Sequence, residues 1–115
     1  MRRRCCTRAR RALDERFFRA LCDPNRVTLL VRLAGCAEPR TVSELNACCQ
    51  IDVSVVSRHL AILREAGIVA ARKCGREVYY KVDFARLVGA LREMADAMEA
   101  CRVACGETTK ECCDE

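Results

Sequence analysis

At 115 residues, 51% of them apolar, the chain has material for one hydrophobic core, and with 4% aromatics and no Trp that core has to be packed from aliphatic side chains. No apolar run nears the ~20 residues of a membrane helix, and the basic start Met1-Arg2-Arg3-Arg4 leads into Arg8, Arg10 and Arg11 instead of an apolar stretch, so a cytoplasmic protein without signal or span is expected. The formal net charge of +5 is uneven, with basic stretches at 1–20 and 53–81 and an acidic one at 99–115, which fits a polyanion partner met at one face.

In chain order, a basic arm (1–8) precedes a first helix over roughly 8–21, in which Leu13, Phe17, Ala20 and Leu21 recur at helical spacing. Asp23-Pro24 starts a second helix, because Asp caps well and Pro suits the first helical position. Its inward residues are read as Val27, Leu30 and Leu33, with Gly35 as the residue beyond its end. Thr41-Val42-Ser43-Glu44 is a capping box, and it opens a short helix to about Cys48. After a turn at Gln50-Ile51, Asp52 caps a fourth helix that runs to Glu65 and stops at Gly67, with Val56, Leu60 and Leu63 as its buried stripe. A short helix, a tight turn and a longer amphipathic helix make a helix-turn-helix.

Two alternating runs, one through Val69 and Ala71 and one through Val78, Tyr80 and Val82, flank a turn at Cys74-Gly75 and predict a β-hairpin. Asp83 caps a last helix with Phe84, Leu87, Leu91, Met94 and Met98 along one seam. Gly106 ends that helix, and residues 107–115 form a Cys-containing acidic tail. The fold class is therefore mainly α with a β-hairpin, a single winged helix-turn-helix domain over 1–115.

The outward side of the fourth helix carries Ser54, Val55, Ser57 and Arg58, small polar residues around one long cation. Such a face enters a major groove, with hydroxyls and guanidinium reaching phosphates and base edges. Arg72, Lys73 and Arg76 at the hairpin tip supply a second contact to the duplex, and His59, the sole histidine, is placed at the helix edge or on a phosphate. Of Tyr79 and Tyr80, one is expected inside and one on the wing surface.

Eleven cysteines include three vicinal pairs, Cys5-Cys6, Cys48-Cys49 and Cys112-Cys113. Neighbouring Cα atoms are about 3.8 Å apart, closer than an ordinary disulfide prefers. In a reducing compartment such thiols suit a shared soft ion better than a disulfide scaffold. Enzymatic chemistry is not expected, since there is no Cys-x-x-Cys and one histidine at most to serve as a base.

The stretch from Asp52 through Ser57-Arg58-His59-Leu60 to Gly67-Ile68-Val69 resembles the recognition helix and wing entry of ArsR/SmtB-type metalloregulatory repressors. Ala20 to Arg26 is similar to the segment before that family's second helix, and Arg76-Glu77-Val78-Tyr79-Tyr80 to its returning wing strand. The resemblance, over about residues 13–100, implies a homodimer joined through its first and last helices. It also implies a repressor of double-stranded operator DNA that an inducer releases.

Two departures decide where the inducer sits. The family's Cys-x-Cys-x-x-Cys arsenic motif reads Thr41-Val42-Ser43-Glu44-Leu45-Asn46 here, and the last helix lacks the histidines of a zinc-type site. What remains is sulfur. Cys101 and Cys105, four apart on the last helix, share a face that Cys112-Cys113 can fold back to meet. Three of these thiolates suffice for arsenite or another thiophilic ion, and other members of the family do place arsenic sites on C-terminal cysteines. Cys5-Cys6, acting with Cys36 or a partner subunit, is a second candidate site; Cys48-Cys49 reads as packing, and Cys22 and Cys74 as incidental. Alternatives are a thiol redox sensor on the same scaffold and a metal-sequestering protein.

Overall fold

The computed structural model describes residues 13–49 and 52–104, apart from the side chains of residues 48 and 49. The helices are α1 (Glu15–Ala20), α2 (Pro24–Ala34), α3 (Val42–Cys49), α4 (Val53–Glu65) and α5 (Phe84–Ala104). The strands are β1 (Arg40–Thr41), β2 (Val69–Cys74) and β3 (Glu77–Val82), in one antiparallel sheet of order β1-β3-β2. Arg16–Leu87 forms one compact unit, and residues 88–104 of α5 belong to a second.

Helix starts follow local chemistry. The Asp23 carboxylate accepts from the Asn25 N–H at 2.8 Å, and Pro24, which has no N–H to strand, takes the first turn of α2. The capping box is reciprocal: Glu44 N–H donates to Thr41 Oγ1 at 3.2 Å, and Thr41 N–H donates to Glu44 Oε1 at 2.9 Å. Asp52 accepts from Ser54 N–H and Asp83 from Arg86 N–H, each at 3.2 Å, at the heads of α4 and α5.

The end of α4 is equally local. Gly67 N–H donates to Arg64 O at 2.9 Å and Ile68 N–H to Leu63 O at 3.0 Å, a Schellman closure that needs a left-handed residue between them. Gly67 supplies it, with φ +80°, and buried Ile68 packs the closure from the far side. The α2 end differs from expectation. Gly35 has φ −83°, ordinary helical space, and its N–H simply continues the ladder to Val31 O and Arg32 O.

The core of the Arg16–Leu87 unit holds Phe17 and Ala20 of α1, Leu29 and Leu33 of α2, Leu45 of α3, Val56, Leu60 and Leu63 of α4, and Ile68, Val69 and Val82 around the hairpin. Two expectations need correction. Leu13 and Asp14 lie before the helix, so among the described residues α1 begins at Glu15; residues 8–12 fall outside them. On α2 the inward residue is Leu29, not Val27, which is exposed. Three-residue steps from Val27 drift off a 3.6-residue face, whereas Arg26, Leu29, Leu30 and Leu33 stay on it. On α5, Met94 is buried with Ala97, while the other seam residues Phe84, Leu91 and Met98 are exposed in the single chain.

One element was not expected at all. The two residues of β1 pair with β3 in the register Arg40↔Tyr80 and Thr41↔Tyr79, so Thr41 is both the last strand residue and the capping hydroxyl of α3. Replacing Gly67 tests the α4 closure. A Cβ there would lie 3.1 Å from the Arg86 guanidinium carbon, on a backbone that L side chains rarely adopt. Gly67→Ala is expected to lower stability by about 1–2 kcal/mol in urea unfolding; Gly35→Ala, which has neither problem, should be neutral or stabilising.

Candidate nucleic-acid interface and thiol positions

α4 is held down on one side and bare on the other. It packs on α2, α3 and β2 through the stripe Val56, Leu60 and Leu63, all fully buried. The opposite side presents Ser54, Ser57 and Arg58 to solvent, with Val55 half-buried beside them. α3 and α4 with the short connection between them form the helix-turn-helix, and the hairpin follows directly as a wing.

In the wing, Cys74 pairs with Glu77, leaving Gly75-Arg76 as the tip; Gly75 takes φ +65° there. Arg72, Lys73 and Arg76 are all exposed. Residues opposite one another across an antiparallel pair share a face, so Arg72 lies with Tyr79, and Ala70 with Lys81, on the face away from buried Val69 and Val82. That outer face, with Glu38 and Cys74, lines a cavity of about 480 Å³. Both tyrosines are half-buried, Tyr79 on this outer face and Tyr80 on the other.

His59 does not join the outward set. It is 8% exposed, and its Nδ1 lies 3.3 Å from Arg26 Nη1. Helical periodicity explains the difference, since His59 follows Arg58 by about 100° of rotation, which turns it from solvent to the inner flank. Arg26 was missed as a functional candidate. Its place on the Arg26, Leu29, Leu33 face is the signal that could have found it.

Among the described residues, the free thiols Cys22, Cys36 and Cys74 lie apart in the chain. Cys22 Sγ donates to Arg19 O and Cys36 Sγ to Arg32 O, each at 3.2 Å, so both thiols turn back onto a preceding carbonyl. Cys36 also lines a cavity of about 280 Å³ with Arg32, Arg40, Glu44 and Leu45. The neighbouring Cys36 sulfur, ahead of the Glu44 and Glu38 carboxylates, raises the Arg40 pKa above its ordinary value. Cys74 is free and exposed at the wing tip. Cys101 is half-buried in the last turns of α5 and disulfide-bonded. Cys105, Cys112, Cys113, Cys5 and Cys6 lie outside the described residues, as do the side chains of Cys48 and Cys49. Among the described residues no three Cys, His, Asp or Glu side chains gather to hold a metal ion, and no helix is long and apolar enough to cross a membrane.

Two packed helices with a basic hairpin behind them define a winged helix-turn-helix protein. Residues 23–71 match the family described as bacterial regulatory protein, arsR family. The chain is similar to a transcriptional repressor SmtB homolog from Synechocystis, 37% identical over 83 residues, which are 72% of this chain and 61% of that protein. It is also similar to the transcriptional regulator CmtR of Mycobacterium bovis, 38% identical over 86 residues, 74% of this chain and 70% of that one. Among solved structures, the homodimeric winged helix-turn-helix DNA-binding domain of Mb0332 from Mycobacterium bovis superposes with a TM-score of 0.55 at 30% identity, covering 70% of this chain and 76% of the other. The chain belongs to the ArsR family of bacterial regulatory proteins. The relatives it matches are transcriptional regulators.

Charge removal separates the roles of the two surfaces. Arg58→Ala is expected to cost about 1–3 kcal/mol on promoter DNA and less on unrelated duplex. Neutralising Arg72, Lys73 and Arg76 together should weaken binding to all duplexes alike and flatten the log-affinity against log-salt slope by about 1 for each phosphate left unneutralised, as fluorescence anisotropy at several salt concentrations would read.

Proposed function

We propose that this protein is a homodimeric, cytoplasmic repressor of double-stranded operator DNA, released when cysteine thiolates capture arsenite or a similar soft ion. The observation that carries the DNA half is the bare polar face of α4 beside a basic wing tip. Ser54, Val55, Ser57 and Arg58 enter the major groove, and Arg72, Lys73 and Arg76 meet the adjacent backbone. His59 supports the helix from inside.

The dimer reading draws on α5. Phe84, Val88, Leu91 and Met98 are each more than 40% exposed, a run of apolar side chains that a single copy leaves in water. A second copy of the chain covers them. Two recognition helices then address half-sites about one helical turn, ~34 Å, apart, so a small rotation at the dimer seam spoils the fit.

The inducer half rests on donor chemistry. Cys101, Cys105, Cys112 and Cys113 offer sulfur alone, which selects thiophilic ions over those that want imidazole. With the Cys101 disulfide reduced, three of these thiolates would capture one ion, tighten the last turns of α5 at the seam and shift the two recognition helices. A coupling of about 1–3 kcal/mol is enough to empty the operator. The disulfide at Cys101 favours a second reading, in which oxidation of the same thiols does the releasing.

Replacing Cys112 and Cys113 together with Ser should leave promoter binding by the reduced protein unchanged and abolish its release by arsenite. Unaltered release would move the site to Cys5-Cys6. Release of the wild-type protein by diamide but not by arsenite would select the redox reading.

A further inference from the structure

The Arg26 side chain on α2 has partners at the end of α1, at the cap of α2 and on α4. Its Nε donates to Ala20 O at 2.7 Å and its Nη2 to Arg19 O at 3.3 Å, two carbonyls at the end of α1. Helix ends leave such carbonyls without an intrahelical partner, so Arg26 caps α1 from a distance. Its Nη1 lies 3.3 Å from His59 Nδ1 on α4 and 3.8 Å from Asp23 Oδ2, the carboxylate that also caps α2. The side chain is only 11% exposed. A guanidinium can only donate, so His59 Nδ1 is the acceptor and the imidazole proton sits on Nε2.

This arrangement needs the chemistry of arginine. The planar fork holds several donors at fixed angles and reaches α1 and α4 together, which a lysine ammonium at the end of a flexible stem does not. It also supplies what the core cannot. Val56, Leu60 and Leu63 press α4 onto its neighbours, but apolar contact is non-directional and tolerates small rotations of the helix about its axis. The Arg26–His59 bond is directional, and His59 is the residue next to Arg58. A few degrees of rotation that would barely disturb the stripe would break the bond and misaim Arg58, Ser57 and Ser54 together.

We propose that Arg26 and His59 form a buried strut that fixes the pose of α4 against the end of α1, and that promoter affinity depends on this strut although neither residue belongs to the outward face. Both are positioning residues, and the inference rests on the DNA-binding reading of α4. The strut makes α1 and the recognition helix one mechanical piece, so a displacement of α1 is passed to the residues that read DNA.

The test compares three full-length variants. His59→Leu keeps bulk and removes the acceptor. His59→Asn places an amide oxygen near the position of Nδ1 and rescues it. Arg26→Lys keeps the charge and loses the fork. His59→Leu should lower affinity for the protein's own promoter duplex about tenfold, the loss of one charge-assisted hydrogen bond, and Arg26→Lys, which also gives up bonds to the end of α1, by at least as much, with affinity for an unrelated duplex changed by less than about twofold in both. His59→Asn should stay near wild type. Equal losses in the Leu and Asn variants, or no loss in either, overturn the strut. If His59→Leu does not melt cooperatively, Arg26→Lys decides in the same way. Amide hydrogen exchange without DNA gives an independent answer: α4 amides should exchange faster in His59→Leu than in His59→Asn, and equal exchange overturns the proposal. Failure of the wild-type protein to bind its promoter would instead sink the DNA reading and leave the exchange result to decide the strut.

Discussion

Burial of one stripe of α4 is the constraint from which the rest follows. With Val56, Leu60 and Leu63 wholly withdrawn from water, the opposite side of a 13-residue helix has to face outward, and the residues found there are those that a nucleic-acid groove accepts. The stripe also sets where the chain goes next. The closure at Gly67 turns the backbone through Ile68 into β2, and the wing is delivered beside the helix that it assists. Reader and wing are one continuous consequence of a helix that must bury one side and stop.

β1 ties this assembly to the preceding elements. Thr41 pairs with Tyr79 of the wing and at the same residue caps α3, the first helix of the helix-turn-helix. The wing is thereby fixed to the reading head by backbone hydrogen bonds as well as by covalent connection. Arg26 does the same for α1 and α4, with a side chain in place of a strand. Such cross-links between short elements suit a protein whose core is aliphatic and small, because dispersion between smooth side chains supplies cohesion but little orientation.

The cysteines divide along different lines. Cys22, Cys36 and Cys74 are free, separate and committed to local geometry or to solvent. None of them has a second thiol beside it among the described residues. Cys101 stands apart by its disulfide and its position late in α5. Sulfur chemistry at that end of the helix would act on the same helix whose apolar residues stand exposed, which is why sensing and dimerisation are read together.

The sequence by itself determined what lies within about four residues. The capping box at Thr41-Glu44, the caps at Asp23, Asp52 and Asp83 and the stop at Gly67 were all legible, because each is a bond between near neighbours whose chemistry is written in order; the wing turn was read one residue early, at Cys74-Gly75, because only the pairing of Cys74 with Glu77 places the tip at Gly75-Arg76. The outward set on α4 was legible for the same reason of period. What only the tertiary structure decided depends on residues far apart in the chain. β1 exists because β3 lies alongside it. Leu29 replaces Val27 in the core because other elements choose which side of α2 to cover. His59 turns from a surface residue to an internal one because Arg26, 33 positions away, comes to meet it. Local hydrogen bonds carry their own address, whereas a long-range contact is specified only once the whole chain has closed around it.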